Sequence, residues 1–237
     1  MARGFRFDAR LPSWLAGLLL ACLGCGALGQ QADPPGRVAF VSLQQGSVVF
    51  APLGAEDWQQ LPPNRPLTEG DRLWTDPAAR AELQLGTATL HLGSVTQLRL
   101  GLLEERVARF ILQQGTANAR VRDLQPDEDF EIDTPNLALR ALQPGDYRLD
   151  VDPRTQSTRV IVHGGQVDVF GENGQALRMA AGQQATFTGR ALAQVEAPYA
   201  ARDEFGLWAQ DRNRAQDQAL AARYVPPGVV GAPQLDA

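Results

Sequence analysis

The sequence predicts an all-β body of short strands stacked in glycine-punctuated layers, a β-solenoid or stacked-sheet arrangement, followed by one C-terminal α-helix. Three observations carry that prediction. First, the tetrapeptide Leu-Gln-Gln-Gly occurs at residues 43–46 and again at 112–115, and looser copies end at Gly86, Gly145, Gly165 and Gly182. The intervals are 40, 29, 30, 20 and 17 residues, an uneven but persistent period that suits units unable to bury their apolar faces alone. Second, Ala81 to Leu100 carries the cleanest alternation, with Leu83 and Leu85, then Ala88, Leu90 and Leu92, then Val95, then Leu98 and Leu100, and its phase slips at Gly86 and Gly93. Side chains alternate across a strand, so a phase slip marks a bend between strands. Third, the alternation ends before Asp203, a good N-cap, and a run of charged residues, Gln and Ala follows.

The elements follow in order. Residues 1–29 read as a signal peptide: Arg3, Arg6 and Arg10 precede an apolar stretch from Leu11 to Leu23, and Ala27-Leu28-Gly29 offers small residues for cleavage before Gln30. Two rivals stand beside that reading, a lipid anchor on Cys22 or Cys25, and retention of residues 11–29 as an uncleaved anchor weakened by Pro12 and its glycines. Residues 30–36 form a polar leader, and 37–189 form the β-rich domain. Within it Val38 to Phe50 reads as two strands, 51–66 as a proline-rich loop, and Thr68-Glu69-Gly70-Asp71 as a turn into Leu73, Trp74 and Thr75. Phe130 and Ile132 form a strand halted at Pro135. Tyr147, Leu149 and Val151 pair with the run at 160–162 across a turn at Asp152-Pro153-Arg154-Thr155. Residues 190–202 read as a linker. The helix segment is 203–225, running from about Glu204 to Arg223, docked by Phe205 and Trp208 at its start and solvated beyond them. Pro226-Pro227 stops it, and 226–237 is an irregular tail.

Composition narrows the function. The chain has 237 residues and a net charge of −5, and all 22 basic residues are arginine. That balance excludes a general nucleic-acid binder, which carries a basic face. Both cysteines lie in the signal-peptide segment, so a chain cleaved after Gly29 has no disulfide, thiolate metal site or cysteine nucleophile. His91 and His163 are the only histidines, and neither sits in a metal or triad pattern, so both read as structural or exposed. Asp150-Val151-Asp152 imitates the start of a calcium loop, but Arg154 stands where a further oxygen ligand belongs, and a hairpin turn is the better reading. Asp127-Glu128-Asp129 reads as a solvated acidic loop. No catalytic, metal or cofactor residue is assigned. Candidate partner-binding residues are Trp58 and Trp74, an aromatic platform or else stack-end packing, Asp71, which equally suits a turn-forming role, and Phe205 and Trp208.

Trp58, Leu67, Gly70-Asp71, Leu73, Thr75, Leu83-Gln84-Leu85-Gly86, Leu90, Leu92, Thr96, Leu98 and Leu100 together resemble the FecR domain, firmly over 37–121 and more loosely to Phe187. The likeness is to its exported branch. FecR proteins are membrane-anchored regulators with a cytoplasmic sigma-factor-binding domain, one crossing helix and a periplasmic β-rich receiver. Here only ten residues precede the apolar segment, and Gly86 follows Leu85 where the family usually has an acidic residue. The resemblance therefore implies an exported, non-catalytic module of the periplasm or envelope without the cytoplasmic anti-sigma domain, one that receives a signal or scaffolds by binding an envelope protein or glycan. It needs no cofactor and has no membrane span once cleaved. Two alternatives remain: a membrane-tethered FecR-type regulator of sigma-factor signalling, and a polysaccharide-active β-helix enzyme, which needs Asp127, Asp129, Asp150 and Asp152 gathered on one face.

Overall fold

Gly115 is the point on which two sheets turn. In the computed structural model, which describes residues 37–195 and 200–219, this glycine sits inside a single 15-residue strand, β9 (Val107–Val121). Its φ is +89°, which an L side chain rarely adopts, and a Cβ there would run into Thr96 and the Val95 carbonyl. The buried apolar positions are 108, 110 and 112 before the bend and 117, 119 and 121 after it, so the inward phase flips across Gly115. A bulge between Leu112 and Gln114 accompanies the change. The first half of β9 thereby belongs to one sheet and the second half to the other.

The first sheet runs, edge to edge, β4 (Pro66–Leu67), β1 (Ala39–Gln45), β6 (Arg80–Leu85), β7 (Ala88–Leu92), the second half of β9, β12 (Gly145–Asp152), β13 (Ser157–Gly164), β16 (Gln184–Thr188) and β17 (Ala193–Val195). The second runs β3 (Gln59–Gln60), β2 (Val48–Ala51), β5 (Arg72–Thr75), β8 (Gln97–Leu103), the first half of β9, β10 (Asp129–Asp133), β11 (Ala138–Ala141), β14 (Gln166–Phe170) and β15 (Ala176–Ala180). β9 and β10 pair in parallel, and the other pairings are antiparallel. The glycine-marked units are thus hairpins and crossings between two sheets rather than the parallel coils of a regular solenoid. Alternate residues from both sheets meet in one apolar core containing Phe50, Leu83, Phe110, Leu112, Ile132, Tyr147 and Phe187. Removal of such side chains from water is the main driving force for this arrangement.

The element bounds differ from those the sequence predicts at three places. The stretch 51–66 is not all loop: β3 forms at Gln59–Gln60 and β4 begins at Pro66. The stretch 190–202 contains β17, an exposed edge strand on β16. The helix, α1 (Glu204–Gln218), ends at a cap on Ala219, earlier than Arg223. The signal peptide, the leader, the cysteine anchor positions and the tail lie outside the described residues. Among the described residues no helix is long and apolar enough to cross a membrane.

Candidate interaction face

The outer face of the first sheet is polar although much of it is buried. On β6 and β7 the odd and even phases divide the work: Ala81, Leu83, Leu85, Leu90 and Leu92 point into the core, while Glu82, Gln84, Thr89 and His91 point outward and are buried all the same. Cross-strand register aligns Glu82 with His91, His91 with Asn118, and Asn118 with Arg148. One polar row therefore crosses four strands, and what covers it is α1.

The helix docks from both ends. At its start Asp203 is the N-cap, accepting from the Gly206 amide at 2.8 Å. Arg148 grips the same carboxylate with both terminal nitrogens at 2.7 Å each, while its Nε donates to Asp150 Oδ1 at 2.9 Å. Such bidentate, charge-assisted pairing is the strong form of the interaction. Burial works against the charge of Arg148, but Asp203 and Asp150 outweigh it and hold the guanidinium above its usual range. Arg148 in turn holds the Asp203 carboxyl below the usual carboxylate range. Further along, Arg212 donates from Nε to Glu82 Oε2 at 2.7 Å and from Nη2 to Oε1 at 3.1 Å; Gln216 and Ser42 donate to Oε1 at 2.6 and 2.5 Å. His91 Nε2 stands 3.4 Å from Oε2 without hydrogen-bond geometry, so the other three are the secure donors. Burial pushes the Glu82 carboxyl up, and His91, Arg212 and Ser42 together outweigh it, leaving the group well below the usual range. Asp217 closes the far end on Arg122 and Arg120.

This docking corrects the expectation that α1 is solvated beyond its first turn. Its buried positions are Gly206, Ala209, Asn213 and Gln216, spaced at three and four residues like any docked helix face, but small or polar. The missed signal was that spacing, matched on the sheet by Glu82 and His91 in an otherwise apolar alternation. Phe205 and Trp208 do pack on the body: Trp208 meets the His91 ring edge-on at 5.4 Å between centroids, and Arg148 lies over Phe205 at 5.6 Å. Several buried atoms at this interface find no acceptor or donor among the described residues, including His91 Nε2, Asn118 Oδ1, Arg120 Nε and both polar atoms of Asn213. Unmet polar groups of this kind weaken a contact.

The next row on the same face is not covered by any of the described residues. Thr116, Asp150, Arg159 and Thr186 align across β9, β12, β13 and β16 and floor an open groove of ≈ 460 Å³.

The remaining sequence candidates lie elsewhere. Asp71 is 3% exposed and accepts from the Leu53 and Thr68 amides at 3.3 and 3.0 Å, so it holds a turn. Trp74 is half-buried on β5, its Nε1 donating to Asp76 at 2.8 Å, and Trp58, 39% exposed, lies under Arg72 at 5.2 Å. These belong to the outer side of the second sheet, so the five candidates do not converge. The four aspartates of an acid–base reading are also separate. Asp127 pairs with Arg106 and Asp129 with Arg140, while Asp150 pairs with Arg148 and Asp152 with Arg154 on the other sheet. Among the described residues no group of three or more His, Cys, Asp or Glu is placed to hold a metal.

Residues 71–168 match the family model described as FecR protein. The match begins beside β5 and ends in β14, so it includes Glu82, His91, Asn118, Arg148 and Arg159 but neither β1–β4 nor α1. It starts later than the stretch on which the resemblance was read, leaving Trp58, Leu67 and Gly70 outside. Two crystal structures of a candidate anti-sigma factor from Parabacteroides distasonis ATCC 8503 are similar to the chain, at 14% and 13% identity, each with a TM-score of 0.46. Each likeness covers 52% of this chain and 57% of that one, so the chain spans little more than half the length of those proteins. It matches no curated protein.

Proposed function

We propose, from a chain that carries a FecR domain over residues 71–168, that the protein is an exported, non-catalytic interaction module of the cell envelope that receives a signal or scaffolds by binding a partner. The observation that carries this reading is the polar row Glu82–His91–Asn118–Arg148, which lies inside the matched stretch. That row holds the chain's own α1 by ion pairs and hydrogen bonds, and polar surface of the same kind continues beside it in the open row Thr116–Asp150–Arg159–Thr186, where a partner would be recognised in the same way. Polar recognition of that kind gives specificity and register more than raw affinity.

The test is the mature N-terminus and location. Mass spectrometry of the protein recovered from fractionated cells is expected to show a chain beginning at Gln30 in the periplasmic fraction, or a lipid-modified Cys22 or Cys25 in the membrane fraction. Recovery in the cytoplasm overturns the proposal. A membrane-bound chain with an intact N-terminus would instead support the tethered FecR-type regulator, the second reading that the FecR match favours.

A further inference from the structure

The open groove on the first sheet has a chemistry of its own. Its volume, ≈ 460 Å³, falls in the range of small-molecule sites, and its floor is the row Thr116–Asp150–Arg159–Thr186. Three of its four charged side chains are already neutralised: Arg148 by Asp203 and Asp150, Asp150 by Arg148, and Asp152 by Arg154. Arg159 is the exception. Among the described residues it has no ion pair and no hydrogen bond, and its Nε is shut off from solvent with no acceptor. Such a donor carries a standing cost until an acceptor arrives.

A bare anion is a poor fit, because the Asp150 and Asp152 carboxylates line the same groove, Asp150 as the cross-strand partner of Arg159. They repel negative charge, but they accept hydrogen bonds from hydroxyl donors. Asp150 shows this preference already: its Oδ1 takes both the Thr116 hydroxyl and Arg148 Nε at 2.9 Å, leaving Oδ2 open. The Thr186 hydroxyl is likewise uncommitted to any protein group described. The complementary ligand carries one carboxylate for the Arg159 fork and several hydroxyls for the flanking acceptors. We infer that the groove binds a carboxylate-bearing sugar residue. This rests on the binding-module reading above and names its ligand class. It does not depend on the route of export.

The test is a titration of the full chain by isothermal calorimetry or NMR, with methyl glucuronoside, N-acetylmuramic acid, methyl glucoside and acetate in separate arms. Methyl glucuronoside or N-acetylmuramic acid is expected to saturate with a Kd on the order of 1 mM, the two arms separating a uronate polymer from cell-wall glycan as the source. Methyl glucoside and acetate are expected to bind at least about tenfold more weakly. Arg159→Gln should reduce acidic-sugar binding by about tenfold or more. Thr186→Val, which leaves every charge in place, should reduce it by a smaller factor. Equal binding of acetate, equal binding of methyl glucoside, no saturation by either acidic sugar, or undiminished binding in folded Arg159→Gln each overturns the inference. None of these failures alters the N-terminal mass result, so the loss of the sugar assignment and the loss of the envelope-module reading are told apart.

Discussion

Gly165 has a φ of +83°, and a Cβ there would strike the Tyr147 hydroxyl and come within 2.7 Å of the Pro144 carbonyl oxygen. Tyr147 is fully buried, and its hydroxyl donates to the Gln143 carbonyl. Burial pushes its pKa up to about 12, so it remains a donor throughout the physiological range. Gly165→Ala is therefore expected to cost about 2–4 kcal/mol, combining left-handed strain with a clash against backbone. The fall in urea midpoint measures it, and Tyr147→Phe in the same background should recover only part, because the Pro144 oxygen stays in place. Val95 is the opposite case. It holds φ at +54° as a β-branched residue, at a turn between β7 and β8 where its side chain is 38% exposed. Val95→Asn should stabilise the protein by about 0.5–1 kcal/mol, since Asn tolerates the left-handed region and nothing buried is lost. A thermal melt shows whether the midpoint rises. The sequence displays the need for glycine at 165 through its place in the repeated units. It hides the strain at 95, because a valine in an apolar alternation reads as an ordinary strand residue.

At the scale of the element, α1 was legible as a helix and illegible as a docked one. Asp203 announces the start, but the docking face is Gly206, Ala209, Asn213 and Gln216, which carries no apolar stripe. Its partners are no easier to see: Glu82 and His91 interrupt apolar strands, and only the register that aligns them with Asn118 and Arg148 gives them a common purpose. Long-range pairing of that kind is absent from any local pattern. The mechanics are testable at Asp203, which both caps the helix and receives Arg148. Asp203→Asn keeps a capping oxygen and loses the charge, and Asp203→Ala loses both. Alanine removes about 1 kcal/mol of capping and leaves Arg148, only 7% exposed, with Asp150 as its remaining carboxylate. Hydrogen exchange of the amides in the first turn of α1 should accelerate in the order wild type, Asp203→Asn, Asp203→Ala, while the β12 and β13 amides change far less. Equal acceleration in the sheet would mean that the helix is a structural pillar rather than a separately opening element.

Across the whole molecule the two outer faces handle charge differently. On the second sheet Arg109, Glu131, Arg140, Asp168 and Arg178 alternate in sign across five adjacent strands. Arg109 is 46%, Arg140 47% and Arg178 61% exposed at the side chain, so each pair contributes little and salt screens it. The all-β class, the glycine bends and the apolar phase were readable in sequence because they are local. The division into two sheets was not, because β9 continues through its bend at Gly115 as one strand and serves both sheets. On the first sheet the Glu82 side chain is fully buried against Arg212, itself 31% exposed, and here acid should act. Its carboxyl is held below the usual range in the folded state, so it binds a proton less readily folded than unfolded. The stability it contributes is complete above the unfolded carboxylate pKa of about 4.3 and is lost as pH falls through that value toward the depressed folded one. The urea midpoint of the wild type is thus expected to drop between about pH 5 and pH 3. Glu82→Gln removes the titrating group and leaves the partly exposed Arg212 beside a neutral amide. That variant should be less stable at neutral pH, by about 1–3 kcal/mol, yet show a flatter decline on acidification. Parallel slopes for the two proteins would place the acid-sensitive charge elsewhere and remove Glu82 as the group that fastens the helix to the sheet.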